Sequence, residues 1–239
     1  MIRDGGKPSY LCTVCARGGS KGVPGKNIRM IAGRPLFAWT LDCAKAVGLF
    51  DRIVVSSDDP DILSLGDRLG ADLCLRRRDE LASDRAGKVP VIVDAVERAQ
   101  VHFTHEFDVI VDLDVTSPLR HESDILGAVD MMRSTGATNV ITGTPSRRSP
   151  YFNMVERDED GSIRLVKTGL RDTLRRQDAP VCYDMNASVY VWDRERFLNN
   201  PKVFYEDTVL YEMPEERSID IDTELDFFLV EALLSRSVT

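Results

Sequence analysis

The stretch Leu11-Cys-Thr-Val-Cys-Ala16 runs directly into Arg17-Gly-Gly-Ser-Lys-Gly-Val-Pro-Gly-Lys-Asn27. A short apolar run followed at once by a glycine-rich basic turn is the pattern of a buried strand that delivers a loop to the end of a sheet. Gly18, Gly19, Gly22 and Gly25 permit positive φ and leave backbone amides uncovered, so the loop is able to wrap oxyanions. Arg17, Lys21 and Lys26 add the charge that balances a triphosphate. The spacing is neither G-x4-G-K-[ST] nor G-x-G-x-x-G. A solvated basic loop is the plain alternative, and the lack of any acid among its four glycines and three cations argues against it.

Outward from this loop, short apolar runs at Arg52–Ser56, Asp72–Leu75, Val109–Leu113 and Asn139–Thr142 alternate with helical patterns near Pro35–Val47, Pro60–Leu69, Val89–Gln100 and Ser123–Arg133. That alternation predicts an α/β fold: a three-layer, mostly parallel, Rossmann-like sheet with helices on both faces. A final helix is expected to bury Leu225, Phe228, Leu229, Ala232 and Leu233, spaced i, i+3, i+4, i+7, i+8. The rhythm breaks between Pro145 and Pro180. Asp158-Glu-Asp-Gly161 there reads as a turn between Tyr151–Arg157 and Ser162–Lys167. We read residues 145–185 as an inserted arm of an otherwise single 1–239 domain, with strand-like Ala187–Trp192 returning to the core.

The chain has 239 residues, enough for one packed core without staples. Its net charge of −8 argues against nucleic acid as a partner. Yet no acid occurs between Asp4 and Asp42, where Lys7, Arg17, Lys21, Lys26, Arg29 and Arg34 all fall. That segment is expected to meet an anion. No apolar run approaches the ~20 residues that span a bilayer, and Met1–Tyr10 has no signal-peptide core, so no membrane partner and a cytoplasmic location are expected. The five cysteines are odd in number. Cys12 and Cys15 stand three apart on a strand and face opposite sides, which rules against a shared metal and favours reduced thiols.

Two acidic segments complete the candidate site. In Ile219-Asp-Ile-Asp222, strand alternation would put Asp220 and Asp222 on one face, a donor set suited to a hard cation such as Mg2+. Asp222 also precedes the last helix and is placed to cap it. In Asp112-Leu-Asp-Val-Thr-Ser-Pro-Leu-Arg120, Asp112 and Asp114 share a face. Asp114 is read as holding a sugar hydroxyl, a sugar ammonium or a second metal ion, or else as capping the amides of Thr116 or Ser117.

Ala16–Asn27, Asp79-Glu-Leu-Ala-Ser-Asp84, Thr116–Arg120, Arg175-Arg-Gln-Asp178 and Ser218–Asp226 together resemble, in order, the motifs of the acylneuraminate cytidylyltransferases, the CMP-sialic acid synthetases. The resemblance runs from about Tyr10 to the last helix. It implies a nucleotidyltransferase fold with a dimerisation arm, and transfer of CMP from CTP to an acidic nine-carbon sugar with release of pyrophosphate. By the same resemblance Arg17, Lys26 and Asp222 act in catalysis. Ala16, Gly18, Gly19, Ser20, Lys21, Asn27, Arg77, Ser83 and Lys88 meet the nucleotide. Asp114, Ser117, Arg175 and Gln177 meet the sugar, while Asp220 and Asp222 hold Mg2+. A homodimer is implied as well. Relatives carry glutamine where Asp114 stands, and the run around Asp114 looks closer to synthetases for legionaminic or other amino-bearing sugars. An octulosonate (Kdo-type) acid and a catalytically silent nucleotide-sugar binder are the alternatives.

Overall fold

A computed structural model describes residues 7–19, 22–82, 87–167 and 179–237. Ser20, Lys21, Ser83, Arg175 and Gln177 lie outside the described residues.

The strand predicted from the opening stretch is β1, Tyr10–Cys15. After it come the two-residue strands β2 (Met30–Ile31) and β3 (Arg34–Pro35), helix α1 (Leu36–Ala46), β4 (Arg52–Ser57), α2 (Pro60–Arg68) and β5 (Leu73–Arg76). The chain continues through α3 (Lys88–Phe103), β6 (Val109–Leu113), α4 (Glu122–Thr135) and β7 (Asn139–Pro145). A small hairpin, β8 (Val155–Arg157) with β9 (Ile163–Leu165), precedes β10 (Tyr183–Asp193), α5 (Arg194–Asn199), β11 (Val209–Glu212) and α6 (Glu224–Ser237).

Seven strands form one sheet in the order β11-β7-β10-β6-β1-β4-β5. The pairs β1–β4, β1–β6, β4–β5 and β7–β11 are parallel, and only β10 runs against its neighbours β6 and β7. The sheet is therefore mostly parallel, and α/β crossovers place the carboxyl ends of β1, β4, β5 and β6 along one edge. Alternation along β1 sorts its side chains between two cores. Cys12 and Val14 pack with α1, α2, α4 and α6, whereas Leu11 and Cys15 face α3 and α5. The two thiols thus sit on opposite faces of the sheet, and burial pushes both well above the usual cysteine range.

Three expectations are corrected. The first concerns α6, which buries Phe227, Val230 and Leu234 and, of the expected stripe, packs Leu233 against the core, while Leu225, Phe228 and Leu229 are 74%, 69% and 45% exposed. Its first turns are apolar nearly all round, so periodicity alone does not choose the inner stripe. The choice falls to Arg29, whose guanidinium lies 4.1 Å over the Phe227 ring and pairs with Glu224 at 2.7 Å. The second is the cap of α6, which belongs to Thr223 rather than Asp222. The Thr223 amide donates to Asp226 Oδ2 at 2.8 Å, and the Asp226 amide to Thr223 Oγ1 at 3.3 Å. The third is residues 219–222, which join no strand; the Ile221 N–H donates to the Thr116 carbonyl at 2.9 Å. Ile221 is fully buried between the two aspartates.

Sequence periodicity also missed half of β10. Ala187 takes a left-handed φ of 52° and the pairing with β7 shifts register between Met185 and Tyr190, which hides Tyr183–Asn186 from any alternation count. The hairpin expected in the arm is present, closed by the Asp158–Ser162 turn with Gly161 at φ 86°.

Candidate nucleotide and metal site

The loop after β1 is anchored on its neighbours before it reaches its basic tip. Ala16 N–H donates to the Ser56 carbonyl at 3.0 Å, continuing the β1–β4 ladder past the strand. The Arg77 guanidinium, 7% exposed, donates to the carbonyls of Ala16 at 3.3 Å and Ser56 at 3.1 Å. Arg77 thus lies behind the loop, where its visible work is to fix the loop base. Gly18 N–H donates to Asp58 Oδ1 at 3.0 Å, and Asn27 Nδ2 donates to the Arg17 carbonyl at 2.8 Å, drawing the two ends of the loop together. Gly19 stands in open space, where a side chain would meet nothing within 4 Å.

Lys26 joins this loop to the aspartate segment. Its ammonium donates to the Ile221 carbonyl and lies 3.6 Å from Asp222 Oδ1. Gly22 approaches the same segment so closely that a Cβ there would stand 2.0 Å from the Asp222 carbonyl oxygen. Backbone cannot yield as a flexible side chain can. Gly22→Ala is therefore expected to displace either the loop or residues 220–222 and to lower kcat/KM for the nucleotide more than tenfold, with a melting temperature within a few degrees of the parent. Parallel kinetics and thermal melts check this, and unchanged kinetics would contradict the close approach.

From Ile221 the contacts pass to the end of β6. Asp114 Oδ1 accepts from the Thr116 amide at 3.1 Å and hydroxyl at 2.9 Å, so capping of Thr116, one of the readings open from sequence, is realised. Asp114 Oδ2 accepts from Lys88 Nζ at 2.9 Å. The same ammonium lies 2.9 Å from Asp112 Oδ2 and 4.4 Å over the Tyr190 ring. Burial alone would lower the Lys88 ammonium, but Asp112 and Asp114 outweigh it and hold it above the usual lysine range. Burial works against the Asp114 carboxylate too, yet Lys88 and the Thr116 bonds hold it well below the usual carboxylate range.

Asp220 is in a different condition. Its Oδ1 is buried without a hydrogen-bond partner, and burial raises its carboxyl, with Asp114 and Asp222 adding repulsion against the pull of Thr116 and Lys26. The Asp222 side chain is 77% exposed. An orphaned buried carboxylate oxygen with a second carboxylate two residues on is a fitting donor set for a hard divalent ion. Among the described residues no three His, Cys, Asp or Glu side chains converge as a complete cage. Mg2+ needs none, since it is usually held by one or two carboxylates together with substrate phosphates and water.

The structure thus brings Lys26, Asp220, Asp222, Asp114 and Lys88 into one run of contacts along the carboxyl edge of the sheet. It leaves Ser117 out. That side chain is fully buried and donates to the Asn186 carbonyl at 3.2 Å. Reading the sequence also missed three supports. Thr13, buried in β1, donates to Asp112 Oδ1 at 2.7 Å. Tyr190 lies under Lys88. Arg120, 3% exposed, donates to Ser188 O at 2.7 Å, to Thr40 Oγ1 at 2.9 Å and to Asp114 O, locking the turn that carries Asp114. A lone threonine inside Leu-Cys-Thr-Val was the only hint of the first; the others depend on pairing across the sheet.

A glycine-rich basic loop at the carboxyl edge of a mixed α/β sheet, closed against an aspartate pair, defines a nucleotide-binding α/β protein of the nucleotidyltransferase class. The comparisons narrow the class. The profile of the cytidylyltransferase family matches residues 11–233. The chain is 44% identical over 225 residues to a CMP-N,N'-diacetyllegionaminic acid synthase of Campylobacter jejuni, covering 94% of each protein. It is 43% identical over 224 residues to the post-translational flagellin modification protein B of Campylobacter coli, again covering 94% of each. Among solved structures, a CMP:2-keto-3-deoxy-manno-octonic acid synthetase in complex with CTP superposes with a TM-score of 0.69 over 96% of this chain and 99% of that one, at 16% identity, a likeness of fold. The chain belongs to the cytidylyltransferase family.

Proposed function

We propose that this protein transfers CMP from CTP to the anomeric hydroxyl of a nonulosonic acid of the legionaminic type, releasing pyrophosphate. The observation that carries the reading is the junction at Lys26, where the anion-binding loop and the Asp220–Asp222 segment meet in one place. Support for the sugar comes from the likeness, along nearly the whole chain, to the C. jejuni enzyme named for N,N'-diacetyllegionaminic acid.

Arg17 and Lys26 neutralise the triphosphate and the departing pyrophosphate; Gly18 and Gly19 are assigned to the nucleotide, the Gly19 amide lining its path while the Gly18 amide is held on Asp58, with Ser20 and Lys21 completing the loop. Asp220 and Asp222 would hold Mg2+, which supplies charge neutralisation at the phosphates. The protein's own share is to place the sugar hydroxyl in line with the α-phosphorus and to keep the loop fixed while charge moves to the leaving group. Lys88 and Asp114 form the wall on the sugar side. Arg175 and Gln177 are assigned to the sugar carboxylate, and Ser83 to the nucleotide.

Specificity tests the reading. kcat/KM for N,N'-diacetyllegionaminate should exceed that for N-acetylneuraminate and for 3-deoxy-octulosonate by tenfold or more. Equal or better use of either comparison sugar would overturn the assignment. A silent binder would bind CTP and turn over none of them.

We also place the chain in the cytoplasm as a single domain with residues 145–185 as a dimerisation arm. Phe152, Met154, Val155 and Ile163 of the arm are exposed in the single chain, so a second arm gains by covering them. Light scattering at micromolar concentration should give twice the 26.8 kDa chain mass, and a monomeric mass would sink this part.

A further inference from the structure

Four carboxylates stand in or beside the site, and they fall into two pairs that differ in whether a lysine ammonium lies between them. Asp220 has a buried oxygen with no hydrogen-bond partner, and Asp222 is largely exposed. Asp112 and Asp114, by contrast, are engaged by the protein itself, although Asp112 Oδ2, like Asp220 Oδ1, takes no hydrogen bond and meets Lys88 only as an ion pair. Asp112 Oδ1 takes the Thr13 hydroxyl, and Asp114 Oδ1 takes the Thr116 amide and hydroxyl. The inner oxygens of both converge on Lys88 Nζ, 2.9 Å from each.

Two carboxylates converging at the end of a strand, beside a second pair, are the donor set that a two-metal phosphoryl-transfer site would use. Here the point between them is filled. The Lys88 ammonium is not a loose surface charge: its side chain is 28% exposed, it starts from the first residue of α3, and the Tyr190 ring lies beneath it at 4.4 Å. An entering divalent ion would have to expel this ammonium from two carboxylates and an aromatic face.

We propose that Lys88 is a tethered cation that occupies the Asp112–Asp114 pair, so that the chain takes a divalent ion only at Asp220 and Asp222. Lys88 is then a positioning residue, supplying one fixed positive charge to the sugar-side wall at any metal concentration and holding Asp114 in its capping geometry. The place of the single divalent ion rests on the function proposed above; the closure of the Asp112–Asp114 pair does not.

The test counts Mn2+ bound per chain, from the loss of the free-ion signal in electron paramagnetic resonance, with no nucleotide present. Lys88→Met should bind one Mn2+ more than the parent, and Lys88→Met with Asp114→Asn should return to the parental count. Equal counts in the parent and Lys88→Met would overturn the proposal. Asp222→Asn separates the two readings. It should leave the difference caused by Lys88→Met at one even where the nucleotide-free parent itself binds no Mn2+, because the Asp220–Asp222 ion draws part of its coordination from substrate phosphates. Should Lys88→Met fail to fold without metal, recovery of its melting transition by Mn2+ supports the proposal and no recovery overturns it. In crystals of the parent soaked with Mn2+, an anomalous peak between Asp112 and Asp114 would overturn it as well.

Discussion

Lys26→Ala is expected to lower kcat more than tenfold, a loss of over ~1.4 kcal/mol of transition-state stabilisation. The lysine has two tasks that alanine cannot perform. Its ammonium brings positive charge to the triphosphate path, and it ties the loop to the Ile221 carbonyl and Asp222. The side chain is only 13% exposed, so the ammonium is already held in place before substrate arrives. That preorganisation is what raises the value of a charge in a transition state. Lys26→Arg should recover part of the rate but not all, because a planar fork does not fit a place made for a compact ammonium. Arg17→Ala carries the same expectation as Lys26→Ala. Steady-state kinetics beside thermal melts check both, and normal turnover in the two alanine variants would show that the triphosphate binds elsewhere.

Asp222→Asn is expected to raise the metal concentration needed for half-maximal rate by tenfold or more and to leave folding untouched. The structural side of this is direct. Asp222 is exposed, and the start of α6 is secured by Thr223 and Asp226 without it. A change in metal dependence without a change in melting temperature therefore isolates the carboxylate's charge. Asp220→Asn should shift the metal titration in the same direction. If neither variant moves it, the pair has only a structural part.

The fold and the loop were legible because they rest on short-range patterns. The run Leu11–Ala16, the glycines after it and the basic, acid-free segment to Asp42 need no knowledge of what lies across the sheet. Legibility ended where two distant pieces of chain decide an outcome. Asp114 read either as a substrate contact or as a cap on Thr116 or Ser117; the Thr116 cap is there, but Lys88 from α3 engages it as well, and nothing in the spacing of residues 88 and 114 announces that pair. Ser117, three residues after Asp114, was assigned to the sugar by resemblance alone, and its burial against Asn186 is set by pairing across the sheet. In α6 the apolar residues supply two possible inner stripes, and Arg29, far away in sequence, selects between them. Ala187 shows the reverse limit: one left-handed residue was enough to break a strand that the structure carries across eleven residues.

The most direct test of the account is pyrophosphate release with CTP, Mg2+ and N,N'-diacetyllegionaminate, singly omitted and together. Release is expected only when all three are present, one pyrophosphate for each CMP-sugar formed. Pyrophosphate release from CTP in the absence of any sugar acid, or none across legionaminic, sialic, pseudaminic and octulosonic acids, would contradict it.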